Sequence, residues 1–147
     1  MGQGPDFSTL KKLSLFHKNI RLFGNVPYAK LHLYYNLADV FCVPSIPLYT
    51  HVLKWEEQFG YVFVEAMACG KPVVSTNSGS IPDVVEGGGI LVNPKSSKEL
   101  AEALISLYED GGLRKKLSKK GMELVKERYD SKVTSKKMVE LYLRLTV

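Results

Sequence analysis

Apolar positions in this chain repeat with two different periods, and stretches of the two alternate along its length. Residues 8–17 carry Leu10, Leu13 and His17 at helical spacing, and Ile20-Arg21-Leu22-Phe23 then reads as a short strand ending at Gly24. After Asn25-Val26-Pro27, the positions Leu31, Tyr34, Tyr35 and Ala38 follow the i, i+3, i+4, i+7 rule and predict a helix over residues 28–38. Val40-Phe41-Cys42-Val43 is an unbroken apolar strand stopped by Pro44. Such runs suit a parallel sheet whose two faces are both covered. Residues 44–58, with Pro44, Pro47 and Trp55, read as a loop.

From Gly60 the pattern is ambiguous. Tyr61-Val62-Phe63-Val64 favours a strand, whereas Glu65-Ala66-Met67-Ala68 followed by Gly70 favours a helix closed by a glycine. Val73-Val74-Ser75 and Ile90-Leu91-Val92 are further strands. Ser96 and Glu99 form a capping-box pattern, opening a helix with Leu100, Ala103, Leu104 and Leu107 on its apolar face. Gly111-Gly112 is expected to end it. A second helix follows through Leu117, Leu124 and Val125, and a third from residue 131 to the end at 147, with Met138, Leu141, Tyr142 and Leu145 on one side.

Strands alternating with helices predict an α/β domain, a Rossmann-like parallel sheet of about four strands with helices on both faces. Ligands of such sheets bind beyond the carboxyl ends of the strands. The loops after residues 20–23, 40–43 and 73–75 are therefore where function is expected.

The length of 147 residues fits one domain. No run of 18 apolar residues is present to span a membrane. The opening Met1-Gly2-Gln3-Gly4-Pro5-Asp6 lacks the layout of a secretory signal. Cys42 and Cys69, at unrelated positions, make neither a metal site nor a disulfide framework, so they are read as inert core thiols of a cytoplasmic protein. The net charge of +5 sits entirely in residues 95–147, which hold thirteen Lys and Arg against eight Asp and Glu. Its densest run, Arg114-Lys115-Lys116-Leu117-Ser118-Lys119-Lys120, lacks the interleaved aromatics of a nucleic-acid surface. It reads first as a solvated helix face, with weak attraction to an anionic membrane surface as the second reading. His17, His32 and His51 match no catalytic pattern and are read as surface residues.

The chemically informative block runs from Glu57 to Val74. Glu57 lies in a loop just before the expected helix and Glu65 lies inside it. Gly60, at the helix start, lets the N–H groups of Phe59, Gly60 and Tyr61 approach a ligand closely. Helix N-termini favour anions, and flanking carboxylates accept hydrogen bonds from sugar hydroxyls. On residue types and spacing alone, this indicates an α/β ligand-binding domain and no more.

The block resembles the signature of the retaining family 4 glycosyltransferases of GT-B fold: a Glu followed by Phe-Gly, seven residues to a second Glu, then Ala-Met-Ala-x-Gly-x-Pro-Val-Val. The similarity extends to Asn19–Gly24, Val26-Pro27, Leu33–Tyr35, Ala38–Phe41, Pro44-Ser45, Ser78–Val85 and Gly89–Pro94, with Ser80 and Asp83 as mild departures. The resemblance implies a single C-terminal, nucleotide-sugar-binding domain over residues 1–147. Glu65 would hold the ribose hydroxyls, and Glu57, the catalytic-site residue, would contact the transferred sugar. Amides at Phe59, Gly60 and Tyr61 would face the sugar and distal phosphate, Val26 and Pro27 the base, and Ser45 would sit at the rim.

It further implies hexose transfer from a nucleoside-diphosphate sugar, with retention at the anomeric centre, no metal and no resident cofactor. The family's first two strands of this domain, its Gly-Arg turn and Lys-Gly helix start, and its acceptor domain have no counterpart here. The chain is thus expected to be inactive alone. Its partners would be the nucleotide sugar and either the missing acceptor domain or another copy of the chain, and not nucleic acid. Strands 20–23 and 40–43 would either pair directly or borrow a strand. The alternative is a stand-alone interaction module that uses the fold without donor chemistry.

Overall fold

The computed structural model describes residues 2–50 and 52–145, in two compact units that part between Tyr34 and Tyr35. His51, and the last two residues of the helix expected to reach 147, lie outside the described residues.

The first unit holds helix α1 (Phe7–Ser14), an irregular segment, and the first turns of α2 (Tyr28–Leu37). Helix α1 buries none of its residues. The strand expected at Ile20–Phe23 does not form. Ile20 N–H closes a turn onto the His17 carbonyl at 2.9 Å, and the Gly24 carbonyl accepts from Gly2 N–H at 2.6 Å. These are isolated bonds, not a ladder, and an extended segment becomes a strand only when a neighbour takes up its main-chain groups. Within this unit Phe23 packs against Tyr34, edge to face with centroids 5.3 Å apart.

The second unit carries, in chain order, β1 (Phe41–Cys42), β2 (Leu48–Tyr49), β3 (Lys54–Trp55), α3 (Tyr61–Ala68), β4 (Val73–Thr76), α4 (Ile81–Val85) and β5 (Gly89–Val92). Then follow α5 (Ser97–Glu109), α6 (Gly111–Leu124), a π-helical turn (Val125–Tyr129) and α7 (Ser131–Leu145). The main sheet is parallel in the order β1-β4-β5, with Phe41 opposite Val73 and Val74 opposite Ile90. The α/β class and the parallel sheet are as expected, with three strands in place of about four.

Strand β4 is buried along its whole length, its valines in the core and its Ser75 and Thr76 hydroxyls bonded to the Val43 and Ser45 carbonyls. On one face Val74 and Val92 pack with Ala103 and Leu107 of α5, flanked by Val40, Cys42, Leu100 and Leu104. On the other side of the core, Phe63, Ala66 and Met67 of α3 and Ile81, Val84 and Val85 of α4 are buried. The ambiguous 60–69 stretch is a helix because its apolar residues must fall on one side: Phe63, Ala66 and Met67 share a face only at helical spacing.

Three local readings are corrected. Residues 44–58 are not wholly a loop, since β2 and β3 pair antiparallel with Leu48 opposite Trp55. Gly111-Gly112 does not terminate α5. Asp110, extended at ψ 95, ends α5, and its carboxylate accepts the Leu113 N–H at 2.8 Å to cap α6, so the glycines open the next helix. The capping box is also only half made. Ser96 Oγ accepts the Glu99 N–H at 3.3 Å, while the Glu99 carboxylate reaches instead to Asn93, at 2.8 Å from its backbone N–H and 3.0 Å from its side-chain amide.

Candidate functional site

The expected site gathers around the start of α3. Gly60 precedes the helix at φ 75°, ψ 65°, a left-handed conformation that glycine adopts without strain. A Cβ there would meet the Phe63 ring at 2.5 Å and the Glu57 Cγ at 3.4 Å, so Glu57 folds directly over this turn. No side chain caps α3, and a helix leaves its first N–H groups without intrahelical acceptors. Phe59 lies against Tyr61, centroids 4.8 Å apart, and edge-on to Tyr129 at 5.5 Å. Tyr61 itself is 74% exposed.

The backbone of Glu57 is held from the other side. Its carbonyl oxygen accepts both the N–H and the hydroxyl of Ser80, each at 3.0 Å. Gly79, at φ 54°, approaches so closely that a Cβ would stand 2.3 Å from the same oxygen.

Glu65 lies one helical turn beyond Tyr61 on the same face of α3, half-buried. Its Oε2 accepts a 2.8 Å hydrogen bond from the hydroxyl of Tyr35, a buried residue of α2. Ser45 stands just past the carboxyl end of β1. Its carbonyl accepts the Thr76 hydroxyl, and the Val43 carbonyl accepts the Ser75 hydroxyl at 2.7 Å, so β4 fastens the loop that carries it. Val26, half-buried, and Pro27, exposed, belong to the irregular segment of the first unit.

The structure therefore brings Glu57, Phe59, Gly60 and Tyr61 together and sets Glu65 on the same helix. Tyr35 and Ser80 were missed as parts of this arrangement. Tyr35 counted only as an apolar helix position, although a buried phenol needs a hydrogen-bond partner. Cavities among the described residues lie elsewhere. One of about 380 Å³ is lined by Pro44, Thr76, Val92, Asn93 and Leu100, and one of about 450 Å³ by Leu37, Asp39, Leu104 and Arg114. Neither is lined by Glu57 or Glu65.

Among the described residues no group of three or more His, Cys, Asp or Glu could hold a metal ion. None of the described helices is long and apolar enough to cross a membrane. Both cysteines are half-buried and unpaired, and burial pushes both thiols up from their ordinary value; for Cys69, Lys71 opposes that rise and Glu65 adds to it.

Residues 1–124 match the family described as glycosyl transferases group 1. The chain belongs to this family. It is 32% identical over 133 residues to the N-acetyl-alpha-D-glucosaminyl L-malate synthase of Bacillus anthracis, covering 89% of this chain and 33% of that protein. To the phosphatidyl-myo-inositol mannosyltransferase of Mycobacterium leprae it is 33% identical over 144 residues, covering 97% of this chain and 36% of that one. Among solved structures it superposes on the sucrose-phosphate synthase of Thermosynechococcus elongatus with a TM-score of 0.78 and 28% identity, covering 99% and 37% of the two chains. This glycosyl transferases group 1 chain thus spans about a third of the length of the curated relatives it matches.

Proposed function

We propose that this chain forms the nucleotide-sugar-binding part of a retaining hexosyltransferase, taking its donor at the start of α3. The observation that carries the reading is the turn at Gly60, which folds the Glu57 side chain over an uncapped helix N-terminus. Unpaired N–H groups and the helix dipole favour a phosphate there. In this reading the amides of Phe59, Gly60 and Tyr61 face the sugar and the distal phosphate, and Glu57 accepts hydrogen bonds from the transferred hexose. Glu65 takes the ribose hydroxyls, and Ser45 forms the rim.

Hexosyl transfer breaks the bond between the anomeric carbon and the donor's phosphate oxygen, leaving a nucleoside diphosphate whose new charge must be neutralised. Fixed cations and N–H groups commonly supply the largest share of such catalysis. The α3 amides contribute part of it. The remaining leaving-group cations and the acceptor site would come from another polypeptide segment or another copy of the chain, so the 147-residue chain binds donor without transferring sugar. The reading places it in the cytoplasm and needs no metal. The exposed lysines of α6 would add at most a weak contact with an anionic membrane.

Thermal unfolding with UDP, GDP and ADP tests this reading, on the unaltered chain and on Glu65→Ala. A nucleotide at 100 times its Kd adds about 2.7 kcal/mol, a shift of several degrees for a domain of this size. One nucleotide should raise the midpoint, and Glu65→Ala should abolish the rise. No shift with any of the three would overturn the reading, and sugar transfer by the chain alone would overturn its inactivity.

A further inference from the structure

Tyr35 ties a buried aromatic cluster to the Glu65 carboxylate. It is 5% exposed, yet its hydroxyl is spent on a carboxylate, Glu65, thirty residues away in sequence. Its ring stands edge-on to Phe41 of β1, centroids 5.4 Å apart, and Phe41 stands edge-on to Phe63 of α3 at 6.2 Å. Phe63 is completely buried and lies two residues before Glu65 in α3. Three elements therefore converge on one phenol, and the phenol is aimed at one oxygen of one glutamate.

A glutamate side chain rotates about three bonds, so a carboxylate on a helix face has no single orientation of its own. A vicinal diol, by contrast, presents two donor hydroxyls at fixed spacing and is bound well only by acceptor oxygens already in place. A hydrogen bond from a rigid, buried phenol to Oε2 turns the carboxylate plane and holds it before any ligand arrives.

We propose that Tyr35 is a positioning residue for Glu65, setting its carboxylate to receive the ribose 2′- and 3′-hydroxyls of the donor nucleotide. The proposal rests on the donor-site reading above and adds to it the residue that makes ribose recognition selective. Tyr35 contacts no ligand itself; it acts through Glu65.

The test compares UDP, GDP and ADP with their 2′,3′-dideoxy counterparts, by calorimetric titration of the unaltered chain, Tyr35→Phe and Glu65→Ala. Phenylalanine keeps the ring and its contacts with Phe41 and removes only the hydroxyl. In the unaltered chain the ribonucleotide binds more tightly than its dideoxy form. In Tyr35→Phe the ribonucleotide should weaken about tenfold, as expected for a lost hydrogen bond to a charged group, while the dideoxy form keeps its affinity. Equal weakening of both forms would mean that Tyr35 serves packing alone, and an unchanged preference for ribose would mean that Glu65 needs no help; either overturns the proposal. If the unaltered chain shows no preference for ribose, or Glu65→Ala keeps that preference intact, the donor-site reading itself fails and the role of Tyr35 with it.

Discussion

Ser80 donates twice to one atom of Glu57: its backbone N–H and its hydroxyl both reach the Glu57 carbonyl oxygen at 3.0 Å. The candidate catalytic residue is thus fixed through its backbone by the turn before α4, while its side chain extends over Gly60. The turn can come this close only because Gly79 has no side chain.

Gly79→Ala should therefore be costly. The new methyl group would stand 2.3 Å from the Glu57 oxygen, at a φ of 54° that alanine resists. A loss of at least about 2 kcal/mol is expected from strain and displacement together. Ser80→Ala removes one of two hydrogen bonds to the same acceptor and should cost about 1 kcal/mol. Urea unfolding of the two variants checks the order. A Gly79→Ala midpoint equal to that of the unaltered chain would contradict this geometry.

The basic run of α6 is not uniform, and mutagenesis should divide it. Arg114 turns back to donate to the Leu107 and Tyr108 carbonyls, the latter at 2.9 Å, satisfying the open end of α5. Arg114→Ala should cost about 1–2 kcal/mol, since it leaves those carbonyls without their cationic partner. Lys119 faces Glu123 one turn on at 3.9 Å, both well exposed, so Lys119→Ala should cost no more than about 0.5 kcal/mol and less in salt. Denaturation midpoints at low and high salt separate the two. Similar losses for both would show that Arg114 is only another surface charge.

Much of this arrangement was legible in the residues, for identifiable reasons. β4 and β5 announce themselves by the β-branched and aliphatic residues Val73-Val74 and Ile90-Leu91-Val92, and α5 by a 3.6-residue stripe that stays on one face. The block from Glu57 to Val74 pointed to the candidate site through a family signature, not through physics that periodicity could supply. What could not be read was non-local. Whether Ile20–Phe23 is a strand depends on a neighbour, not on its own four residues. Gly111-Gly112 looks like a helix end until Asp110 is seen to cap the helix that follows. The two hydrogen bonds from Ser80 and the aim of the Tyr35 hydroxyl join residues 23 and 30 positions apart, which no short window contains.

The two thiols should react slowly. Burial raises Cys42, and at Cys69 burial and Glu65 outweigh the opposing pull of the Lys71 ammonium. The thiolate is the reactive form, so both should lag behind a free cysteine at pH 7. Timed alkylation followed by peptide mapping reads both rates directly. Fast labelling of Cys42 at neutral pH would show that it is not held as the structure places it.

Glu99 offers a test of the sign of a pH effect. Hydrogen bonds from the Asn93 backbone N–H, then from the Asn93 side-chain amide and from Ser96, hold its carboxyl below the ordinary value of 4.5 against a smaller opposing effect of burial. The folded chain therefore keeps Glu99 ionised at acidities where the unfolded chain has already protonated it. The stability this confers is complete above about pH 4.5 and drains away as the pH falls through the lower, folded-state value. Glu99→Gln keeps an acceptor for Asn93 but cannot ionise. The gap in urea midpoint between the unaltered chain and Glu99→Gln should thus be constant from pH 8 to about 5 and shrink below that, because only the unaltered chain loses a charge-assisted bond. Since the side chain is only partly buried, the gap should also narrow in salt. A gap that is the same at about pH 3 as at pH 7 would mean that Asn93 bonds the carboxylate no better than it bonds an amide, and that the turn before α5 owes its closure to Ser96 alone.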